Sequence, residues 1–194
     1  MEGAKKHRFS ISSPINDMCV TDTGDVYFTD YFNKSISCLS PSRSVSTVNS
    51  TDPLEPWGIC QSVDGGLLVT LSSKESDPFK LQLHSRRLVR HITVTCDVIQ
   101  EYEYQEDDQT RLFTYPYRIT QNGYSDICLV NSTSLTTGDL VIMSPSVLMK
   151  FVYLGQNLTK KFSPTDVVCD SLCNFLVTDL LNKQIHLLSP EGSS

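Results

Sequence analysis

The residues of this chain that could do chemistry include two identically spaced Asp and Asn pairs. Asp30 is followed three residues later by Asn33, and Asp179 is followed in the same way by Asn182. Their carboxylate and amide oxygens could ligate a cation or take part in acid–base catalysis. The commoner use of this spacing is a turn in which the side chains bond the local backbone. We therefore interpret both pairs as turns.

The other candidate sites for chemistry are weaker. Cys169 and Cys173 have a spacing that could hold a metal, but one lies in an apolar run, the other lies in a turn, and no histidine partner is near. The chain also lacks a phosphate-binding glycine loop, a Gly-x-Ser-x-Gly elbow and a His-Glu-x-x-His motif. We therefore expect no catalytic residue, no metal site and no cofactor.

A sequence pattern that occurs four times fixes where these residues lie. Each copy has an apolar run, a polar turn and further apolar runs, and the copies start at residues 15, 56, 116 and 164. The two end copies match without a gap, so that Val26-Tyr27-Phe28-Thr29-Asp30 corresponds to Phe175-Leu176-Val177-Thr178-Asp179. Self-similarity at such a period is typical of repeat architectures.

Each copy predicts four short antiparallel strands. The runs are rich in β-branched and aromatic residues, and Asp64-Gly65-Gly66 and Asn122-Gly123 supply the positive φ angles that hairpin turns need. Four strands per repeat of about 40 to 50 residues indicate propeller blades. We predict an all-β fold, a partial β-propeller of about four blades. Its segments are an outer strand of a preceding blade (1–13), a blade (14–50), a blade with an inserted loop at 74–87 (51–110), a blade (111–156) and a blade without its last strand (157–194). Such an incomplete ring would leave two sheet faces exposed.

Composition narrows the functional classes. The net charge of −6 weighs against sequence-independent nucleic-acid binding, which needs a basic surface. No apolar stretch approaches 18 residues, so we expect no membrane span. The seven cysteines are odd in number and mostly lie inside apolar runs, which favours unpaired, buried thiols in a reducing compartment and hence a cytoplasmic protein.

The repeat resembles the NHL repeat. The stretches from Asp17 to Leu71 and from Pro164 to Ser189 are similar to the C-terminal NHL propellers of mollusc tripartite-motif proteins. The middle copies depart from the pattern, because Leu71 and Asn131 replace the Asp that follows the second run. The resemblance implies a six-bladed propeller with a RING finger, B-boxes and a coiled coil upstream. None of those segments is in this sequence, so any ubiquitin-ligase chemistry would lie outside it.

The longest loops are predicted to share one side of the propeller, because they follow the second and fourth strands of each blade. We call this side the long-loop face. Binding residues tend to lie on loops that a rigid scaffold holds, and aromatic and Arg side chains dominate binding energy. The candidate binding residues are Tyr31, Trp57, Arg86, Arg87, Tyr117 and Arg118, although Trp57 and Tyr117 could instead pack near the propeller axis.

These observations favour a non-enzymatic scaffold that binds proteins, such as ubiquitination substrates. An RNA-binding propeller is the first alternative, and it would use Arg118, Arg86 and Arg87. A fragment of a calcium-dependent six-bladed hydrolase or lactonase is the second. That alternative would need convergent oxygen ligands in the central channel, where the first strands offer only Asp17 and Asp166.

Overall fold

The predicted all-β fold is confirmed by a computed structural model, which describes residues 8–11, 13–105, 107, 109–146, 149–156 and 159–190. These residues form fifteen strands and no helix, so none of the described segments is a helix that could span a membrane. The strands are β1 Met18–Val20, β2 Val26–Asp30, β3 Ser35–Leu39, β4 Val45–Ser50, β5 Glu55–Gln61, β6 Leu67–Ser72, β7 Arg87–Ile92, β8 Val98–Tyr102, β9 Pro116–Gln121, β10 Ile127–Ser132, β11 Gly138–Met143, β12 Met149–Tyr153, β13 Pro164–Cys169, β14 Phe175–Asp179 and β15 Gln184–Leu188.

The strands form four antiparallel sheets in which sequence neighbours are also sheet neighbours. Blade 1 contains β1–β4, blade 2 contains β5–β8 and blade 3 contains β9–β12. Blade 4 contains β13–β15 among the described residues. The first strands of successive blades contact one another, β1 with β5, β5 with β9 and β9 with β13, and so surround a common axis. The architecture is a four-blade β-propeller.

The hydrophobic core lies between the blades. Successive side chains of a strand point to opposite sides of its sheet, so each blade has a forward face toward the next blade in the chain and a back face toward the preceding one. Between blades 1 and 2, the forward side chains Tyr27, Ile36 and Cys38 pack with Leu67 and Ile92 of the back face. Equivalent clusters fill the junctions between blades 2 and 3 and between blades 3 and 4.

Two threonines bridge successive blades. Thr29 Oγ1 in β2 donates to the Trp57 carbonyl in β5 at 2.8 Å, and Thr70 Oγ1 in β6 donates to the Tyr117 carbonyl in β9 at 3.3 Å. Each hydroxyl comes from the second strand of one blade, and each carbonyl comes from the first strand of the next. A polar bond at the same place thus accompanies the apolar packing of both junctions.

The Asp and Asn pairs are turns, as predicted. Asp30 accepts a bond from the Asn33 backbone N–H at 3.0 Å and another from its side-chain amide at 2.8 Å. Asp179 and Asn182 repeat both bonds, at 3.3 and 2.8 Å. The residue after each Asn has a positive φ, 47° at Lys34 and 56° at Lys183. These carboxylates are therefore used by the local backbone.

One predicted turn is different. Gly65 has the expected positive φ of 86°, but in the Asn122-Gly123 turn the left-handed residue is Ser125, with a φ of 68°. Asn122 Oδ1 accepts the backbone N–H groups of Tyr124 and Asp126 at 3.0 and 2.8 Å. The Asn side chain organises this turn, so the glycine conformation expected from the dipeptide is not needed.

The segment before blade 1 also differs from its prediction. Residues 1–7 and 12 lie outside the described residues, and residues 8–11 form no strand. Phe9 and Ile11 instead line an apolar groove on the back face of blade 1, together with Met18, Phe28 and Val45. A strand needs a neighbour to pair with, and this segment packs its side chains on a sheet face without pairing.

All seven cysteines are unpaired, as predicted, but only Cys38 and Cys128 are buried and the other five are half-buried. Burial raises the pKa of the Cys19 thiol to about 12 and that of Cys169 to about 11. These thiols therefore stay protonated at neutral pH and behave as small apolar side chains.

Candidate binding surface

Aromatic rings from three blades form a continuous row on the long-loop face. Tyr31, after β2, stacks on Trp57 of β5 with centroids 5.2 Å apart. Trp57 lies 5.5 Å from Tyr115 and 5.9 Å from Tyr117, on either side of the start of β9. Phe79, in the inserted loop of blade 2, meets the edge of Tyr115 at 5.9 Å. The structure therefore brings together three of the predicted residues, Tyr31, Trp57 and Tyr117.

The row of rings leads into a groove between blades 3 and 4. The groove has a volume of about 220 Å³. Its apolar lining includes Phe79, Tyr115, Tyr117, Leu135 and Leu180. Hydroxyl groups complete the lining, from Ser132, Ser134, Thr136, Thr137, Ser163 and Thr165. The groove thus offers apolar contact together with short polar side chains that can donate or accept hydrogen bonds.

Arg87 is not a surface residue, which corrects its prediction as a binding residue. It is the first residue of β7, and its side chain is fully buried. The guanidinium donates to the carbonyls of Ser73 at 2.7 Å, Arg86 at 3.1 Å and Thr114 at 3.2 Å. Its guanidinium carbon lies 5.7 Å from the centroid of the Tyr115 ring, so it contacts one ring of the aromatic row. Arg87 is a structural residue that fastens the inserted loop to blade 3.

Arg86 lies beside the inserted loop, but its charge is already paired. Its guanidinium bonds Glu101 at 2.9 Å and Glu103 at 2.7 Å. Arg111 also bonds Glu103, at 3.3 Å. The bond from Glu103 and the further pairing with Glu101 raise the pKa of Arg86 above its ordinary value. An anionic ligand would have to compete with these carboxylates.

Arg118 reaches across the propeller axis. Its Nη2 donates to the Asn16 carbonyl of blade 1 at 3.0 Å, and its guanidinium lies 4.2 Å from the Tyr117 ring centroid. Its Nη1 is buried and has no hydrogen-bond partner among the described residues, and the same is true of Trp57 Nε1. Arg118 therefore connects blade 3 to blade 1, and its guanidinium, next to the Tyr117 ring, retains a donor without a partner among the described residues.

The axis carries opposite charges from different blades. Asp17 and Asp166 occupy the first-strand position that Gly58 and Arg118 occupy in blades 2 and 3. Asp17 accepts the Ile59 backbone N–H at 3.0 Å. Burial raises the pKa of Asp17, the Ile59 bond and Arg118 oppose the rise, and Asp166 adds to it. The two carboxylates and Arg118 thus lie within electrostatic range of one another.

Several residues of this surface were not anticipated from the sequence. Tyr115 and Phe79 extend the aromatic row, and Leu135 and Leu180 contribute to the lining of the groove. Tyr115 could have been found, because it directly precedes the proline that opens a blade. Leu135 and Leu180 lie in loops whose course the repeat pattern does not specify. Across the described residues, no group of three or more His, Cys, Asp or Glu side chains is arranged to hold a metal.

Comparison with known proteins supports the propeller architecture. No protein-family model matches this sequence, and no curated protein matches it. Among solved structures, the chain is similar to a virginiamycin B lyase from Staphylococcus aureus with quinupristin (14% identity, TM-score 0.65), covering 95% of this chain and 55% of that one. It is also similar to the WD40 β-propeller domain of Doa1 (18%, 0.62, covering 94% and 53%). A third similar structure is a gluconolactonase-like protein (13%, 0.54, covering 88% and 56%).

At these identities the similarity shows the fold alone. The chain spans little more than half the length of each of these three proteins. They include enzymes as well as a WD40 domain, so the shared fold does not select between catalysis and scaffolding.

Proposed function

We propose that this chain is a non-enzymatic scaffold that binds an extended segment of a partner protein on its long-loop face. The observation that carries the proposal is the row of rings from Tyr31 to Phe79, which continues into the groove between blades 3 and 4. Large aromatic side chains held by a rigid framework supply most of the energy of typical protein interfaces. The hydroxyls that line the groove can form hydrogen bonds with the backbone N–H and C=O groups of a peptide.

The charged residues support a protein ligand over RNA. The Arg87 guanidinium already donates hydrogen bonds to backbone carbonyls, and Arg86 is paired with two carboxylates. Arg118 has one free donor, and two Asp side chains share its surroundings. A phosphate backbone would meet few available cations here, whereas RNA binding gains its affinity from many. The same Arg118 charge at the axis disfavours a calcium ion between Asp17 and Asp166.

The cellular context is also part of the proposal. The NHL-like repeat supports a partner-recognition module of the tripartite-motif kind, with ubiquitination substrates as partners. The seven unpaired cysteines support a reducing, cytoplasmic setting.

A random-peptide display library panned on the immobilised chain tests the proposal. Peptides that are enriched are synthesised, and their affinities are measured by calorimetry for the wild type, Phe79→Ala and Leu135→Asp. We expect each substitution to weaken binding by about tenfold or more, since such anchor contacts contribute about 1.4 kcal/mol or more. Leu83→Asp is the control, because Leu83 is 98% exposed and lies outside the groove. Peptide binding that none of these variants changes, or salt-sensitive binding of an RNA oligonucleotide that Arg118→Ala abolishes, would overturn the proposal.

A further inference from the structure

The junction between blades 2 and 3 contains a cavity on the side of the propeller opposite to the long-loop face. We call this side the short-turn face, because it carries the short turns between the first and second strands and between the third and fourth strands of each blade. The cavity has a volume of about 200 Å³ and lies beside the β5–β6 turn. Asp64 and Tyr102 both line it, and each has hydrogen-bonding capacity that the described residues leave unused.

Asp64 uses only one of its two carboxylate oxygens. Its Oδ1 accepts hydrogen bonds from Ser62 Oγ, from His91 Nε2 at 3.1 Å and from the Gly66 N–H at 3.2 Å. Its Oδ2 has no hydrogen-bond partner among the described residues. The bond from Ser62 lowers the pKa of Asp64, the bonds from Gly66 and His91 add to this, and burial opposes it. The carboxylate is therefore ionised at neutral pH.

The hydroxyl of Tyr102 is unpartnered among the described residues because blade 3 differs from blade 4. Tyr102 is 2% exposed, and its position in blade 2 is that of Tyr153 in blade 3. Tyr153 bonds His186 Nδ1 of blade 4 at 2.8 Å. Blade 3 has Val141 at the position of His186, and a valine side chain offers Tyr102 no hydrogen bond. Buried polar groups nearly always have a partner, so this hydroxyl points to a ligand or a water molecule.

A histidine also replaces an apolar residue at this junction. His91 holds the position that Cys38 occupies in blade 1 and Ile142 in blade 3, and both of those side chains are buried in the core. The His91 side chain instead lines the cavity and reaches Ser62 Oγ at 3.2 Å as well as Asp64. Polar groups thus take the place of core packing at this end of the junction.

Both blades hold the walls of the cavity in place. Gly66 lets the β5–β6 turn lie against β7, because a Cβ at this position would be 2.4 Å from the Ile92 carbonyl oxygen. From blade 3, Gln121 Oε1 accepts the Val63 N–H at 2.8 Å, and its Nε2 donates to the Ser125 carbonyl at 2.9 Å. The site is therefore formed before any ligand binds, which lowers the entropic cost of binding.

Tyr102 and Asp64 are close enough to act on one ligand. Burial raises the pKa of Tyr102, and the Asp64 charge adds to the rise, so the two groups lie within electrostatic range of each other. No Lys or Arg belongs to the described lining, and His91 opposes a cation only when it is protonated. The cavity thus combines a full negative charge with a hydroxyl oxygen that can accept a hydrogen bond.

We propose that this cavity binds an alkylammonium group, supplied either by a small primary amine or by a lysine side chain. An ammonium has three N–H donors, and Asp64 Oδ2 and the Tyr102 hydroxyl offer acceptors for them. An anion would be repelled by Asp64. A cavity of about 150 Å³ is large enough for benzene, so this one accommodates a chain of about four carbons. The proposal does not depend on the proposed function, because the cavity lies on the opposite face.

Titration of the isotope-labelled chain with n-butylammonium chloride, followed by two-dimensional NMR, tests the proposal. We expect saturable shifts of the amide signals of Val63, Gly66 and Ser125, which surround the cavity. n-Butanol has the same chain length and no charge, and it should produce no saturable shift. Equal binding of n-butanol, or no saturable shift with n-butylammonium up to about 20 mM, would overturn the proposal.

Two variants each remove one of the proposed acceptors. Asp64→Asn is expected to weaken n-butylammonium binding by about tenfold or more, and Tyr102→Phe by about threefold or more. The matched controls are Asp22→Asn, in the corresponding turn of blade 1, and Tyr124→Phe, in the neighbouring turn of blade 3. Both lie outside the cavity lining and should bind like the wild type.

Unchanged affinity in Asp64→Asn would show that the proposal is wrong. Unchanged affinity in Tyr102→Phe would equally contradict the assignment of its hydroxyl, and this variant keeps the ring in the core, so it provides a test even if Asp64→Asn does not fold. An acetylated and amidated peptide with a single Lys between glycines distinguishes the two sources of the ammonium. Affinity similar to that of n-butylammonium indicates a lysine of a partner protein, whereas binding of n-butylammonium alone indicates a small amine.

Discussion

Replacing Arg87 by Met tests whether a single buried cation fastens the inserted loop of blade 2 to the scaffold. The guanidinium makes three hydrogen bonds of 3.2 Å or less to the carbonyls of Ser73, Arg86 and Thr114. Ser73 and Arg86 are the two ends of the loop, and Thr114 lies just before β9 of blade 3. The side chain therefore closes the base of the loop and joins it to the next blade. Burial lowers the pKa of Arg87, but an arginine with this many acceptors stays charged.

The expected loss of stability follows from these bonds. A hydrogen bond to a charged group contributes about 1.5–3 kcal/mol, so three bonds set a gross value of about 5–9 kcal/mol. Removing the guanidinium also removes the cost of burying its charge, and the Met side chain keeps most of the contacts of the Arg stem. We expect Arg87→Met to lower the free energy of unfolding by about 3 kcal/mol.

Urea unfolding followed by the fluorescence of Trp57, the single tryptophan, measures this change at fixed protein concentration. Arg90→Met is the matched control, since Arg90 lies in the same strand and pairs with Glu101 near the surface. Such a pair contributes about 0–1 kcal/mol. Trypsin cleavage at Lys80, inside the loop, should accelerate in Arg87→Met only. A loss of stability no larger than that of the control, with cleavage unchanged, would refute the structural role of Arg87.

Three further perturbations have outcomes that the structure fixes. Gly58→Ala should destabilise the chain by about 2–3 kcal/mol in urea unfolding, because its Cβ would lie 2.5 Å from the Tyr117 carbonyl oxygen. Gly65→Ala, where φ is 86° but no atom lies within 4 Å, should cost only about 1 kcal/mol; equal effects would contradict this reading. Thr29→Val should cost about 1–2 kcal/mol by breaking the bond to Trp57, whereas Thr178→Val should cost no more than about 0.5 kcal/mol, because the exposed Thr178 hydroxyl bonds the Thr165 side chain of its own sheet. Burial raises the pKa of Asp179, but bonds from Asn182 and the Ser163 N–H outweigh this and bring it below its ordinary value. The stability it provides is therefore complete above about pH 4 and is lost as the pH falls through the folded-state pKa, so Asp179→Asn should flatten the acid limb of a pH–stability curve.

The sequence was most informative where the repeat recurs. Blades 1 and 4 keep the same pairings 149 residues apart, for example Thr29 with Ile36 and Thr178 with Ile185. Strand packing needs apolar side chains at alternate positions, and this requirement is local enough to be read from the chain. The Asp30 and Asn33 turn was predictable for the same reason, because its bonds join residues three apart.

The candidate binding surface was predicted only in part, because its side chains are brought together by loops. Arg86 and Arg87 are adjacent in sequence, and both were predicted to be binding residues. Arg86, however, forms an ion pair near the surface, whereas Arg87 is fully buried. The difference arises because Arg87 is the first residue of β7 and points inward, while Arg86 still belongs to the loop. Leu135 and Leu180 line the same groove from two different blades, an arrangement that no local pattern encodes.

The residue that faces the axis differs from blade to blade because it takes no part in the packing between blades. The blade junctions require apolar residues on the second and third strands, so a substitution there is costly in packing energy. The position held by Asp17, Gly58, Arg118 and Asp166 faces the axis. Packing against the following blade does not require an apolar residue there. Gly58 lets the strands of blades 2 and 3 approach closely, and Arg118 uses the space beside them to reach Asn16. Because charge can vary here without loss of the blade junctions, we expect that, under the proposed function, the axis and the neighbouring aromatic row determine the selectivity for a partner.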